Sequence, residues 1–175
     1  KLSVVINTFF SEVGIDILTS LKDFNQNHGD IDAKLNVQTD WTDMSFSKTV
    51  AYFKEADIQI ECSAKQLEAL RALTMGKMDF LIRMIENPNL IEHDTFTDML
   101  LAVFHVMEEL RARGVFYDDR KADMKHLSND IQRAYKKLLI QWIEYMRHLR
   151  SEYPYLYSLA IRNNPFYKKS IMIKD

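Results

Sequence analysis

The sequence predicts an all-α protein, an up-and-down antiparallel bundle of four main helices and one short helix. Glycine and proline are scarce, at four and three of 175 residues, whereas a fold of many short strands and turns needs more of both. Apolar residues recur at three- and four-residue steps in several long segments, as they do on the buried face of a helix. The strong helix formers Leu, Met, Ala, Lys, Arg and Glu dominate the second half.

The first part of the chain contains one long and one short predicted helix. Residues 2–24 carry an amphipathic pattern, which ends in the polar stretch 25–32. The shorter helix is expected at about 45–57, where Phe46, Val50 and Phe53 recur at helical spacing. Residues 57–62 alternate polar and apolar side chains like a strand. A single short strand has no partner here, so we interpret this segment as a connector.

A second long helix is predicted from the pattern Ser63…Gln66, which is a capping box that starts a helix. It extends to about residue 86, where Asn87-Pro88-Asn89 stops it, because proline lacks an N–H and clashes with the preceding turn.

Two further helices complete the predicted bundle. Asp94 or Thr95 is expected to cap the first, which ends at Gly114. The last helix starts near Lys121 and is kinked at Pro154. Short links favour antiparallel neighbours. We therefore expect a single helical domain at residues 1–166 and a C-terminal tail at 167–175.

Composition argues against several classes of function. The net charge of −2 gives no basic surplus for binding nucleic acid. One cysteine, Cys62, cannot form an internal disulfide, which fits a cytoplasmic protein. No stretch of about 20 apolar residues is present, so we expect no membrane span. Phosphate-binding loops and the GxSxG nucleophile motif are absent, and we expect a non-catalytic protein without a cofactor.

Two histidine–carboxylate pairs at i, i+4 spacing form the one candidate site for chemistry. They are His105…Glu109 and His126…Asp130. Each pair shares one face of its helix, and two such pairs on facing helices could bind a divalent metal, as in carboxylate-rich bundles. A metal-binding bundle, with or without enzymatic activity, is therefore the alternative hypothesis.

Helical-wheel geometry favours a polar contact surface over that metal site. His105 and Glu109 fall opposite the main apolar stripe of their helix, and His126 and Asp130 fall on a charged edge. The Glu-x-x-His pattern of di-iron bundles is also missing. The helix around His105 is apolar nearly all round, however, so Asp98, His105 and Glu109 could instead meet another helix or subunit.

Aromatic residues are dense near the C-terminus and suggest packing or an interface. Trp142, Tyr153 and Tyr155 are the members we assign to an interface, together with Asp98 and His105. The expected role is binding of a protein partner or self-association into an oligomer.

Residues 86–110 and 126–166 resemble the soluble C-terminal region of some prokaryotic potassium-channel-family proteins with two membrane helices. The most specific parts are Asn87-Pro88-Asn89-Leu90, Tyr153-Pro154-Tyr155-Leu156 and Asn164-Pro165-Phe166. The chain has no TVGYG-like filter and no pore segment, so conduction cannot reside in it. The resemblance implies a regulatory or assembly domain at the cytosolic face of the membrane, tethered to a pore in the full-length protein.

Overall fold

The longest helix, Lys121–Glu152, packs against five of the other α-helices. The computed structural model describes residues 2–90, 92–167 and 171–173, without the side chains of residues 2 and 3. The α-helices in chain order are α1 (Leu2–Phe9), α2 (Ile15–Lys22), α3 (His28–Ala33), α4 (Asp43–Glu55), α5 (Ala64–Met75), α6 (Met78–Ile85), α7 (Asp94–Ala112), α8 (Lys121–Glu152) and α9 (Pro154–Arg162). The described residues contain no β-strand, and the predicted all-α class is confirmed.

Helix α8 is buried along most of its length because α1, α2, α4, α7 and α9 all contact it. The predicted apolar stripe, which includes Leu127, Ile131 and Leu138, lies in the core. Tyr135 and Leu139, outside that stripe, are buried as well. Because α8 is buried on more than one side, residues at the margin of its apolar stripe are buried as well.

Helices α7 and α8 form an antiparallel pair joined by the short link 113–120. Helix α7 also contacts α5 and α6 on its other side. Ala102 and Val106 are buried in addition to the predicted stripe. The nearly all-round apolar character of this helix therefore reflects burial on two sides.

The predicted helix starts are confirmed in one case and wrong in another. Ser63 and Gln66 form the expected capping box at α5. Neither Asp94 nor Thr95 caps α7, because its N-cap residue is His93 and no side chain there bonds the first turn. Asp94 instead lies in the first turn, where a carboxylate interacts favourably with the helix dipole.

Several helices are interrupted where the sequence predicted continuity. A π-helical turn, Phe10–Gly14, separates α1 from α2. There is also one additional helix, because α3 forms in the polar stretch where the first helix was predicted to end. The predicted helix 63–86 is broken after Met75, and Pro154 begins a separate helix rather than kinking α8. Proline at a first helical position suits this start, since its missing N–H would have had no partner.

The connector at residues 57–62 is confirmed, since it makes only an isolated bridge, between Ile60 and Asn25. Near the C-terminus Phe166 is buried, so packing extends to the predicted end of the domain. The predicted tail, 167–175, lies partly outside the described residues.

Among the described residues, one helical stretch, Val4–Lys22, is long and apolar enough to cross a membrane. Core helices pass the same test, and this stretch includes buried Phe9, Leu18 and Leu21.

Candidate metal centre

The antiparallel pairing of α7 and α8 brings the two histidine–carboxylate pairs face to face. His105 and Glu109 lie one turn apart on α7, and His126 and Asp130 lie one turn apart on α8. The Nε2 atom of His105 is 3.2 Å from Oδ2 of Asp130. The Nε2 atom of His126 is 3.4 Å from Oε2 of Glu109. The four side chains therefore form one cluster between the helices.

The spacing of the donor atoms of His105, Glu109 and Asp130 fits a single metal ion, and His126 lies close to two of these residues. Within α8, His126 Nε2 lies 3.3 Å from Asp130 Oδ2, and within α7, His105 Nε2 lies 3.8 Å from Glu109 Oε1. Ligand atoms around a tetrahedral ion with bonds of about 2.1 Å are about 3.4 Å apart. His105, Glu109 and Asp130 each offer one ligand atom, all within 4.8 Å of one another.

Asp130 is the buried residue of the cluster, with a side chain only 7% exposed. Its Oδ2 is inaccessible to solvent and accepts no hydrogen bond from the described residues. The two imidazole Nε2 atoms approach it closely, but neither points an N–H at it in hydrogen-bond geometry. A buried carboxylate oxygen without a donor is costly, and a bound cation would remove that cost.

Two arginines hold the carboxylates in place. Arg133 Nη2 donates to Asp130 Oδ1 at 2.6 Å, which leaves Oδ2 turned toward the histidines. Arg113 Nη1 donates to Glu109 Oε2 at 2.8 Å, while its Nε and Nη2 donate to the two oxygens of Asp123 at 2.9 and 2.6 Å. Hydrogen bonds of this kind orient carboxylates that ligate metals.

The Arg113 guanidinium also changes the protonation equilibria around it. Its hydrogen bonds lower the pKa of Glu109 and of Asp123 below their usual values, and the same bonds raise the pKa of Arg113. Glu109 is therefore ionised at neutral pH, as a metal-ligating carboxylate must be.

The histidine side of the cluster faces solvent. The side chains of His105 and His126 are 44% and 53% exposed. An ion bound here would therefore be closed off by Asp130 on the core side and accessible to a water or an external ligand on the other side.

The wheel-based placement of Asp130 on a solvated edge is wrong, because α7 covers that side of α8. Of the residues assigned to an interface, Asp98 is exposed, and Tyr153 and Tyr155 are exposed on α9 or next to it. Trp142 is instead buried, with its ring centroid 5.3 Å from that of Phe166.

Arg113, Asp123 and Arg133 were missed in the sequence. A signal for two of them was present, since Glu109…Arg113 and Asp130…Arg133 have the i, i+4 and i, i+3 spacings of helical ion pairs. No local signal indicates Asp123, because its contact crosses the link between the helices.

Residues 1–162 match the family described as "Uncharacterized protein MJ1433, C-terminal helical domain". The chain belongs to this family. "Uncharacterized protein MJ1433" of Methanocaldococcus jannaschii is 41% identical over 175 residues, which are 100% of this chain and 70% of the relative. No solved structure matches. Membership in the MJ1433 C-terminal helical domain family does not bear on the potassium-channel resemblance, which stays a prediction.

Proposed function

We propose that this domain binds one divalent first-row transition-metal ion between α7 and α8, through His105, Glu109, His126 and Asp130. The observation that carries the proposal is Asp130 Oδ2, a buried oxygen without a hydrogen-bond donor, with two imidazole nitrogens 3.2 and 3.3 Å away. Three potential ligand atoms thus converge without satisfying one another by hydrogen bonds.

The donor set favours certain ions over others. Two imidazole nitrogens and two carboxylate oxygens suit Zn²⁺, Fe²⁺ or Co²⁺, whereas Mg²⁺ and Ca²⁺ prefer oxygen ligands alone. The competing explanation is a polar network, in which the histidines contact the two carboxylates without any metal.

Elemental analysis, together with melting before and after chelation, separates these explanations. One metal ion per chain is expected, and zinc at 100 times its Kd stabilises by about 2.7 kcal/mol. That gain raises Tm by roughly 5–10 °C in a domain of this size. For substitution of His105 or His126 by alanine, His28→Ala is the matched control, because His28 and Asp32 form an i, i+4 pair at 3.7 Å on α3. If the purified protein contained no metal, and neither zinc nor chelator changed its Tm, the metal site would be rejected and the network without metal would remain.

A second candidate function is self-association through α9. The observation that favours it is a group of exposed apolar side chains, Tyr155, Leu156 and Leu159, of which Tyr155 is 92% exposed. Light scattering of the wild type and of Tyr155→Ser tests it. A concentration-dependent dimer that the substitution weakens is expected, whereas a strict monomer at high concentration would contradict this role.

A further inference from the structure

Arg133 uses only one of its N–H groups within the histidine–carboxylate cluster. Its Nη2 atom donates to Asp130 Oδ1 at 2.6 Å, and its other N–H groups have no hydrogen-bond acceptor among the described residues. Arg113 differs, because its Nε, Nη1 and Nη2 atoms all donate to Glu109 or Asp123. The Arg133 side chain is also 50% exposed, so its free N–H groups are accessible to a ligand.

Arg133 lies on the same side of α8 as the exposed His126. The two residues are seven positions apart, which is about two turns, and Asp130 lies between them. Side chains on a helix lean toward its N-terminus, so Arg133 extends back toward the cluster. On α7, the register set by His105 opposite Asp130 continues into residues 99–104 opposite Arg133, and that segment contains no acidic side chain. The free N–H groups of Arg133 therefore border the open side of the candidate metal centre.

With a divalent ion bound, the cluster carries a net positive charge. The carboxylates of Glu109 and Asp130 balance the two charges of the ion, and the ligating histidines are neutral. Asp123 and Arg113 form a bidentate ion pair, in which the two charges cancel. The guanidinium of Arg133 is left as one uncompensated positive charge beside the ion. The site therefore favours a ligand with a single negative charge.

We propose that the metal ion and Arg133 together bind the carboxylate group of a small organic acid. This inference rests on the proposed metal site and assigns a ligand to its open position. One carboxylate oxygen binds the ion on the side of His105 and His126, because a four-coordinate ion of this kind expands to five ligands. The other oxygen accepts charge-assisted hydrogen bonds from the free N–H groups of Arg133, whose planar fork matches a carboxylate.

Optical titration of the Co²⁺-loaded protein with acetate tests the proposal. The visible absorption of Co²⁺ changes when a fifth ligand binds, so it reports anion binding without any assay of activity. Acetate is expected to change the spectrum and to bind more tightly than chloride, which has no second atom for Arg133, or than sulfate, which carries two charges. Arg133→Ala is expected to weaken acetate binding roughly tenfold and chloride binding less, because only acetate loses a hydrogen bond to a charged donor.

Lys137→Ala is the matched control for Arg133→Ala. Lys137 lies one turn after Arg133 on α8, so its removal takes away a nearby positive charge and leaves the guanidinium in place. This variant is expected to retain nearly wild-type acetate affinity. Arg133→Lys keeps the charge but loses the planar fork, and its affinity should fall between wild type and Arg133→Ala. Because Arg133→Ala is also expected to weaken metal binding, every variant is saturated with Co²⁺, and its occupancy measured, before acetate is added.

Four results would overturn the proposal. A spectrum that acetate leaves unchanged in the Co²⁺-saturated protein would reject the carboxylate site and leave the metal site standing. Chloride or sulfate binding as tightly as acetate would show that the site does not select a carboxylate. Equal acetate affinities in wild type, Arg133→Ala and Lys137→Ala would remove Arg133 from the site. Failure to take up Co²⁺ at all, measured beforehand, would instead reject the metal site and this inference with it.

Discussion

Nε2 of His105 on α7 lies 3.2 Å from Oδ2 of Asp130 on α8. The helical wheels had placed His105 opposite the apolar stripe of its helix and Asp130 on a charged edge of the other. The contact joins a half-exposed imidazole to a buried carboxylate. It also fixes the register of the two helices, because Glu109 and His126 meet one turn further along the pair. The candidate metal centre therefore depends on how α7 and α8 pack against each other.

Arg133→Ala is expected to weaken zinc binding about 10–100-fold, because Asp130 loses the hydrogen bond that turns its free oxygen toward the histidines. Arg133→Lys should recover part of the affinity. Arg83→Ala, an exposed arginine on α6, serves as control. Zinc titration by calorimetry measures all three. Unchanged affinity in Arg133→Ala would show that Asp130 does not need this support.

Gly14→Ala is expected to destabilise the protein by about 1–3 kcal/mol, which is the usual cost of overpacking a core. A Cβ at this position would lie 2.6 Å from Phe10 Cδ1 and 2.9 Å from Phe9 Cε2. Displacing Phe10 would also disturb its stacking on Tyr145, whose ring centroid is 4.5 Å away. Urea unfolding measures the effect.

Gly76→Ala is the matched control for that substitution. Its Cβ would meet no atom within 4 Å, and its φ of −72° suits any L-residue. We expect it to be neutral or to stabilise by about 0.4–1 kcal/mol, because alanine restricts the unfolded chain. If both substitutions had the same effect, close packing around Gly14 would not be the cause.

Asp123→Asn is expected to reduce stability at neutral pH but not in strong acid. The Arg113 hydrogen bonds lower the pKa of Asp123 in the folded state, so this carboxylate contributes stability above its unfolded pKa of about 3.9. That contribution is lost as the pH falls through the lower folded value. Urea unfolding of the chelator-treated protein at several pH values tests it. A difference between wild type and variant that persisted at the lowest pH would contradict this linkage.

The Cys62 thiol is expected to react slowly with thiol reagents at pH 8. Burial raises its pKa above the ordinary value, and so lowers the thiolate fraction, while the Ser128 hydroxyl 3.2 Å away opposes the shift. Ser128→Ala should therefore slow the reaction further. The urea-unfolded protein supplies the reference rate. A native thiol that reacted as fast as the unfolded one would show that Cys62 is not protected.

The local signals in the sequence predicted helix ends with mixed success. The capping box at Ser63 marks a helix start in the structure, as predicted, whereas Pro154 begins a separate helix and does not kink α8, and neither Asp94 nor Thr95 caps α7. The break after Met75 and the π-helical turn before Ile15 each coincide with a glycine, Gly76 and Gly14, and glycine is a poor helix former.

The candidate site was only partly predictable. Spacing identified the two histidine–carboxylate pairs, but a helical wheel measures direction against one apolar stripe. Helices α7 and α8 are each buried on more than one side, so that reference was incomplete. Asp130 lies at the margin of its stripe and is covered by α7, which no single-helix projection could reveal.

Calorimetric titration of the metal-free protein with zinc tests the central claim most directly. We predict one tightly bound ion per chain. Its affinity is expected to fall at least as far in His105→Ala and His126→Ala as it does in Arg133→Ala, and to remain unchanged in His28→Ala. The two ligand histidines are partly exposed, so their substitution leaves the core intact. Absence of stoichiometric binding, or equal binding in all of these variants, would contradict a metal site between α7 and α8.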